Sequence, residues 1–141
     1  MDLTFLPADL EDIRPIFDAS RDLILKYEDT ASIDLPRVLA WVERKIEENI
    51  SEYRRILLDG VHVGYYRLFT GELGLELDDL YIFPEYRCRG IGTAVINRCC
   101  AQGPLSLYVF TKNTGALALY RRLGFRELRE VGHTRLILRK E

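Results

Sequence analysis

The run from residue 80 to residue 93, LYIFPEYRCRGIGT, constrains this chain more than any other stretch. Its apolar opening predicts a buried strand, its proline a turn, and its glycine-rich end the start of a helix. A helix N-terminus carries roughly half a positive charge, so Arg87 and Arg89 are unfavourable there unless an anion binds. Gly90 and Gly92 lack Cβ atoms, which lets a phosphate approach the backbone N–H groups. The run therefore predicts a strand–turn–helix cradle for a phosphate or pyrophosphate.

Two familiar phosphate-binding motifs do not fit this run. It lacks the Lys-Ser/Thr pair of a nucleoside-triphosphate loop, and its order is R-x-x-G-x-G rather than G-x-G-x-x-G. The short motif has an alternative interpretation, an ordinary helix start whose glycines form a tight turn. The surrounding sequence has to decide between the two.

The composition favours one compact domain spanning residues 1–141. A chain of 141 residues with 48% hydrophobic and 30% charged residues is typical of a globular protein with a substantial core. A formal net charge of −2 argues against nucleic acid and membrane surfaces as partners. No apolar run approaches the roughly 20 residues of a membrane span, and no signal-peptide pattern opens the chain. We therefore expect a cytoplasmic protein.

The three cysteines predict neither a disulfide framework nor a metal site. Cys99 and Cys100 are adjacent on a predicted helix, and Cys88 lies within the glycine-rich turn. An odd number of cysteines suits a reducing compartment. His62 and His133 are far from them in sequence, so we expect no bound metal.

Hydrophobic periodicity and turn signals predict alternating strands and helices over the whole chain. The order is β-α-α-β-β-β-α-β-α-β-β, which predicts an α/β (α+β) fold with a mixed central sheet of about seven strands and helices on both faces. The predicted strands are about 4–6, 53–58, 61–69, 73–82, 105–110, 125–131 and 134–139. The predicted helices run from Asp9 to Tyr27, from Asp34, from the glycine-rich turn to about Ala101, and from Asn113 to Gly124.

The fourth strand contains an irregularity. Its apolar positions are odd-numbered up to Leu77 and even-numbered from Leu80 onward, so the two-residue period changes phase at Asp78 and Asp79. One extra residue in a strand has this effect, which predicts a β-bulge. The alternative is that the two aspartates end one strand and begin another.

Three features in order make the chain resemble the GNAT superfamily of acetyl-CoA-dependent N-acetyltransferases. The first is a bulged strand, and the second is the R-x-x-G-x-G motif directly after it. The third is similar to the family's N-x-x-A-x-x-x-Y-x-x-x-G-F segment, formed here by Asn113, Ala116, Tyr120, Gly124 and Phe125. The motifs cover about residues 73–125, and the element order extends the resemblance to nearly the whole chain.

The resemblance implies a binding site for acetyl-CoA as co-substrate. Backbone N–H groups of the glycine-rich turn would hold the pyrophosphate, and the main chain at the end of the fourth strand would bond the pantetheine arm. An N–H near Ile82 would polarise the thioester carbonyl. The implied contacts are Leu80, Tyr81, Ile82, Arg87, Cys88, Arg89, Gly90, Ile91, Gly92, Thr93, Asn113, Ala116 and Tyr120.

The resemblance also assigns catalytic roles. Tyr120 would protonate the departing thiolate, although a core tyrosine is the alternative, and Asn113 would bond the arm or cap a helix. Glu76 falls at the position of the glutamate base that some members use, and Asp78 shares its face if the strand is regular. The equal alternative is that water relays the proton to several weak acceptors and that no single base exists.

These features predict direct acetyl transfer from acetyl-CoA to a primary amine of a small molecule or polypeptide. The alternatives are an inactive GNAT-like module that senses acyl-CoA and a domain that docks a phosphorylated ligand. The acceptor amine and the choice between monomer and homodimer stay open. Glu28, Asp29 and Asp34 form an acidic loop that suits a cationic amine or is simply a solvated turn.

Overall fold

The computed structural model describes residues 2–141 and contains seven strands and four helices in the predicted order. The strands are β1 (Leu3–Pro7), β2 (Tyr53–Leu58), β3 (Val61–Gly71), β4 (Gly74–Ile82), β5 (Leu105–Phe110), β6 (Arg126–Val131) and β7 (Arg135–Lys140). The helices are α1 (Ile13–Tyr27), α2 (Leu35–Glu48), α3 (Ile91–Cys100) and α4 (Thr114–Arg122). The α/β fold class is confirmed. Within residues 2–141, none of the helices is long and apolar enough to cross a bilayer.

The seven strands form one mixed sheet in the order β1-β2-β3-β4-β5-β7-β6. All neighbouring strands are antiparallel except β4 and β5, which are parallel. β7 lies between β5 and β6. After β5 the chain therefore first forms β6 at the edge of the sheet and then returns to form β7 next to β5. Strand pairing of this kind depends on contacts between distant residues, which periodicity does not report.

The sheet separates two hydrophobic clusters. α3 and α4 pack on one face, where Ile91, Val95 and Leu117 join the inward residues of the strands. α1 and α2 pack on the other, around Ile16 and Ile46. The first face is called the α3/α4 face below, and the second the α1/α2 face.

The predicted bulge lies in β4. Tyr65 pairs with Tyr81, and Arg67 pairs with Asp78. Tyr66, the one residue between them on β3, therefore faces two residues of β4, Asp79 and Leu80. Asp79 has a φ of 50°, a conformation that aspartate tolerates better than most residues. The bulge keeps leucines on the α3/α4 face both before and after the two aspartates.

Candidate active site

A cradle of free backbone N–H groups lies between β4 and α3. Gly90 adopts a φ of 80° and Cys88 a φ of 63°, so the chain turns sharply before the helix begins. The first bond of the helix runs from the Ala94 N–H to the Gly90 carbonyl, at 3.1 Å. The three N–H groups before Ala94 therefore have no intrahelical acceptor and are oriented to bind an anion. These groups belong to Ile91, Gly92 and Thr93.

The space in front of this helix start is open. A Cβ atom built on Gly90 or Gly92 would meet no other atom within 4 Å, so the region that these glycines leave open is not filled by the protein. Gly92 lies within the helix and has no conformational need to be glycine. The glycine pair therefore provides access to the backbone, which is the chemistry that a pyrophosphate requires.

Both arginines of the motif hold the turn in shape. Arg87 Nε donates to the Ile82 carbonyl at 2.8 Å, and its guanidinium lies 5.1 Å from the Tyr81 ring centroid. Arg89 Nη2 donates to the Glu85 carbonyl at 3.2 Å. A guanidinium has five N–H donors, so each side chain retains others for an anion. Both are exposed, and their positive charge at a helix N-terminus adds to the attraction of the cradle for an anion.

β4 and β5 separate beyond the bulge. They are paired only at Glu76 with Ser106 and at Leu77 with Leu107. The Phe83 N–H donates to the Val63 carbonyl of β3 at 2.8 Å. Because backbone groups alternate along a strand, the Ile82 N–H faces away from β3 and into the gap. An extended amide-bearing arm can bond to the strand edge in this gap.

α4 places Tyr120 on the α3/α4 face, in contact with the core there. Asn113 caps this helix, with its Oδ1 accepting the Ala116 N–H at 3.2 Å, so the capping alternative is observed. The Tyr120 hydroxyl makes no hydrogen bond within residues 2–141, whereas its ring packs edge-on against Phe125 at 5.7 Å. Burial raises the pKa of Tyr120 to about 12, so the hydroxyl stays protonated at neutral pH and can donate a hydrogen bond.

Asp78 and Asp79 lie in a charged cluster on the α1/α2 face. Lys45 Nζ lies 3.1 Å from Asp78 Oδ2 and 3.0 Å from Asp79 Oδ2. Arg67 also bonds Asp78 at 3.1 Å, and the Tyr53 hydroxyl donates to Asp79 at 2.6 Å. Sequence reasoning assigned no role to Lys45, Tyr53 or Arg67. The adjacent aspartates in an apolar strand were the only signal, because buried charges require partners from elsewhere in the chain.

The cluster separates the pKa values of the two aspartates. Burial opposes ionisation of Asp78, but Lys45 and Arg67 outweigh it and hold the Asp78 pKa below its usual range. Burial and the neighbouring Asp78 raise the pKa of Asp79. Asp78, tied to two cations, is therefore a poor proton acceptor, and Asp79 is the more basic of the pair.

Glu76 lies next to this cluster but makes no ion pair with its members within residues 2–141. Burial and the nearby Asp78 raise its pKa, which suits a base. However, Glu76 lies in the part of β4 that still pairs with β5, and six residues of extended strand place it roughly 20 Å from Ile82. A proton reaching Glu76 from the gap would have to be relayed.

The model of the acetyltransferase (GNAT) family matches residues 13–125 of the chain. The chain belongs to the GNAT family. The match includes the bulge, the cradle, the gap and Tyr120.

Two curated relatives share part of this GNAT sequence. An uncharacterised N-acetyltransferase of Methanocaldococcus jannaschii is 37% identical over 71 residues, 45% of this chain and 31% of the relative. The thialysine N-epsilon-acetyltransferase of Mus musculus is 35% identical over 79 residues, 50% of this chain and 45% of the relative. The chain thus matches less than half the length of either curated relative.

Solved structures show the same GNAT fold over the full chain. The PaiA N-acetyltransferase of Thermoplasma acidophilum, solved in complex with coenzyme A, superimposes with a TM-score of 0.70. The identity is 19%, and the alignment covers 100% of this chain and 99% of the other. At this identity the likeness establishes the fold.

The GNAT fold brings most of the predicted site residues together. Those of the cradle, residues 87–93, and those of the gap, residues 80–82, are consecutive along one strand–turn–helix segment. Tyr120 and Ala116 belong to the helix after β5, on the same face as α3. Glu76 is the exception, because the bulge and the charged cluster separate it from the gap. The roles of these residues remain predictions.

The acidic loop between α1 and α2 uses its carboxylates within its own turns. Glu28 Oε1 accepts the Asp29 N–H at 3.1 Å, and Asp29 Oδ2 accepts the Ser32 hydroxyl at 2.6 Å. Asp34 caps α2 by accepting the Arg37 N–H at 3.3 Å. These contacts favour the interpretation of the loop as a solvated turn.

Proposed function

We propose that this chain is an N-acetyltransferase that moves an acetyl group directly from acetyl-CoA to a primary amine. The observation that carries the proposal is the continuity of three features on one segment: free N–H groups at the start of α3, open space at Gly90 and Gly92, and the Ile82 N–H in the strand gap. Each matches one part of a molecule with a pyrophosphate, an amide-bearing arm and a thioester.

Acetyl-CoA supplies the activated acetyl group, and the protein's residues arrange the transfer. The Ile82 N–H donates to the carbonyl oxygen as that oxygen gains negative charge. The Tyr120 hydroxyl donates to the sulfur as it leaves. A thiol has an ordinary pKa of about 8.5, so full proton transfer from a phenol with a pKa of about 12 is unfavourable, and Tyr120 acts chiefly as a hydrogen-bond donor.

The amine must lose a proton, and a relay fits the geometry better than a direct base. Glu76 is distant from the gap, and Asp78 is held by Lys45 and Arg67. A pocket of about 10 Å³ lined by Asp79, Tyr81 and Ser20 has room for a single water molecule. The proton therefore leaves through water towards the carboxylates of β4, with Glu76 as one of the acceptors.

The cysteines do not take part in the transfer. Cys99 is buried, and burial raises its pKa to about 12, which disfavours the nucleophilic thiolate. Cys88 is exposed in the cradle, where the pyrophosphate would bind. All three cysteines are free thiols, which suits a reducing compartment, and on this basis we propose a cytoplasmic location.

The test combines ligand stabilisation with transfer. Acetyl-CoA at a hundredfold excess over its dissociation constant should stabilise the fold by about 2.7 kcal/mol in thermal unfolding, whereas ATP and inorganic phosphate should do so weakly. Release of CoA thiol is then measured with a panel of amines. Stabilisation without transfer to any amine would support the sensor alternative, and equal stabilisation by phosphate alone would support docking of a phosphorylated ligand.

A further inference from the structure

The direction from which the acceptor arrives follows from the two faces of the sheet, if the proposed function is correct. The cradle and Tyr120 both lie on the α3/α4 face. In a direct transfer the acceptor amine attacks the carbonyl carbon of the thioester, the same atom that the CoA sulfur leaves. The acceptor therefore enters the strand gap from the opposite side, the α1/α2 face.

The α1/α2 face is only partly covered by helices. The cluster beneath α1 and α2 includes residues of β2, β3 and one residue of β5, Phe110, but none of β6 or β7. Tyr108 of β5 is 43% exposed on this face. Apart from Phe110, the part of the sheet formed by β5, β7 and β6 lies outside this cluster and forms the floor next to the gap, on which Tyr108 is exposed while Ser106 and Ile137 are buried.

Register places four arginines on this floor. Leu136 and Leu138 of β7 point into the α3/α4 cluster, so the alternate residues Arg135 and Arg139 project from the other face. Residues paired across antiparallel strands share a face, and Arg126 pairs with Arg139. By the same rule Arg129, which pairs with Ile137, projects from this face too. We call Arg126, Arg129, Arg135 and Arg139 the arginine floor.

The negative charges of the same strands are on the opposite face. Glu127 and Glu130 of β6 pair with Leu138 and Leu136, which belong to the α3/α4 cluster. Within residues 2–141, only one arginine of the floor has a carboxylate partner, Arg139 with Glu141 at 2.7 Å. Arg139 also donates to the Leu73 carbonyl at 2.9 Å and to Ser106 Oγ at 3.0 Å, so the arginines of the floor that are left to bind a ligand are Arg126, Arg129 and Arg135. The arginine floor thus carries a net positive charge although the whole chain carries −2.

An exposed tyrosine accompanies these arginines, and an exposed tryptophan lies on α2 of the same face. The guanidinium of Arg135 lies 5.4 Å from the Tyr108 ring centroid. On α2, Trp41 is 56% exposed and its ring lies 5.9 Å from Lys45 Nζ, which contacts β4. Arg37 and Arg44 line the same open concavity of about 420 Å³ as Trp41. Arginine, tryptophan and tyrosine are the residues enriched at the centres of protein interfaces.

We propose that the acceptor is a polypeptide whose amine is flanked by acidic residues. Arg126, which pairs with Arg139, lies roughly 13 Å from Arg135 along the strand direction, which exceeds the reach of one small carboxylate-bearing amine. Acidic side chains on an extended segment can pair with several of these guanidinium groups, while Tyr108 offers apolar contact.

The experiment compares peptides of equal length that differ only in the residues flanking one amine. One series has a blocked N-terminus and a single central lysine flanked by glutamate, glutamine or arginine. The other has a free N-terminus and no lysine, with the same three flanks. We expect kcat/KM for the glutamate-flanked member of the accepted series to exceed that of the glutamine-flanked member about tenfold, with a preference that falls as salt is added.

A matched pair of variants attributes the preference to the arginine floor. Arg129→Glu and Arg98→Glu each change the net charge by the same amount, and both positions are exposed, but Arg98 lies on α3 on the opposite face. Arg129→Glu should reduce or invert the flank preference, and Arg98→Glu should retain it. Acetyl-CoA stabilisation should be the same in both.

The outcomes separate this inference from the proposed function. A preference for arginine flanks, equal rates with all flanks, or no acetylation of any peptide would overturn the acidic-polypeptide acceptor, provided that acetyl-CoA still stabilises the fold. Loss of the effect equally in Arg98→Glu would also overturn it. Absence of acetyl-CoA stabilisation in the unmodified protein would instead contradict the proposed function.

Discussion

The two sides of the strand gap present different chemical groups. On the α3/α4 face, the cradle presents backbone N–H groups and glycines from one continuous segment between β4 and α3. On the α1/α2 face, the arginine floor presents side chains from two strands, with Tyr108 of β5 beside Arg135. A shared donor needs constant contacts, which backbone groups provide. A particular acceptor needs distinctive contacts, and side chains at register positions can change without altering the fold.

The largest effect that tests this contrast is expected at Gly92. Gly92→Glu places bulk and negative charge where the pyrophosphate would bind, and it should abolish stabilisation by acetyl-CoA. Because a Cβ there meets no protein atom within 4 Å and the residue is helical, the variant should still fold. Thermal unfolding with and without acetyl-CoA measures both properties.

Gly92→Ala sharpens the same test. Alanine is a better helix former than glycine by up to about 1 kcal/mol, so the unliganded fold should become more stable while acetyl-CoA binds more weakly. Opposite changes in the two quantities would mark Gly92 as a ligand-contact position. Wild-type affinity in the glutamate variant would mean that the cradle is misplaced.

A smaller effect is expected at Tyr120, which lies on the same side of the gap. Tyr120→Phe removes a hydroxyl that makes no hydrogen bond within residues 2–141, so stability and acetyl-CoA affinity should change little. The kcat should fall by about a hundredfold, because the departing sulfur loses its donor. An unchanged kcat under conditions in which chemistry limits turnover would make Tyr120 a packing residue.

The smallest effect is expected at Glu76, which separates a single base from a relay. Its pKa is raised by burial and by Asp78, so if Glu76 is the base, activity rises with pH through a limb above the usual glutamate range. Glu76→Gln would then remove that limb. With a water relay, we expect kcat to fall by less than tenfold and the limb to survive, following the pKa of the acceptor amine.

Glu127→Gln is the matched control for this pH profile. Glu127 is exposed on the edge strand β6 and is not among the charges that shift the pKa of Glu76, so its variant should retain the wild-type profile. Disappearance of the limb in Glu76→Gln alone would establish Glu76 as the base and contradict the relay.

The sequence predicted the backbone features on the α3/α4 side of the gap well because their signals are local. The change of phase at Asp78 and Asp79 predicted the bulge, since a strand's alternation records which face each residue meets. Gly90 and Gly92 predicted the cradle, which the structure forms within a few residues of chain. The capping role of Asn113 was likewise among the predicted alternatives.

The charged cluster around Asp79 could not be predicted in this way. Lys45, Tyr53 and Arg67 come from three other elements, and nothing near each of them in sequence marks it as a partner of the aspartates. The position of Glu76 was also undecided, because its distance from the gap depends on where β4 and β5 stop pairing. Contacts between distant residues set both features.

The sequence by itself determined the order of the elements, the bulge and the glycine-rich cradle, because each is encoded by neighbouring residues through periodicity, turn propensity and the absence of Cβ atoms. Only the tertiary structure decided that β7 lies between β5 and β6, and hence that four arginines face one way and Glu127 and Glu130 the other. A shift of one residue in that register would exchange the two faces, and no local pattern in a charged edge strand prevents it. The fold of the whole sheet therefore sets the charge of the acceptor side.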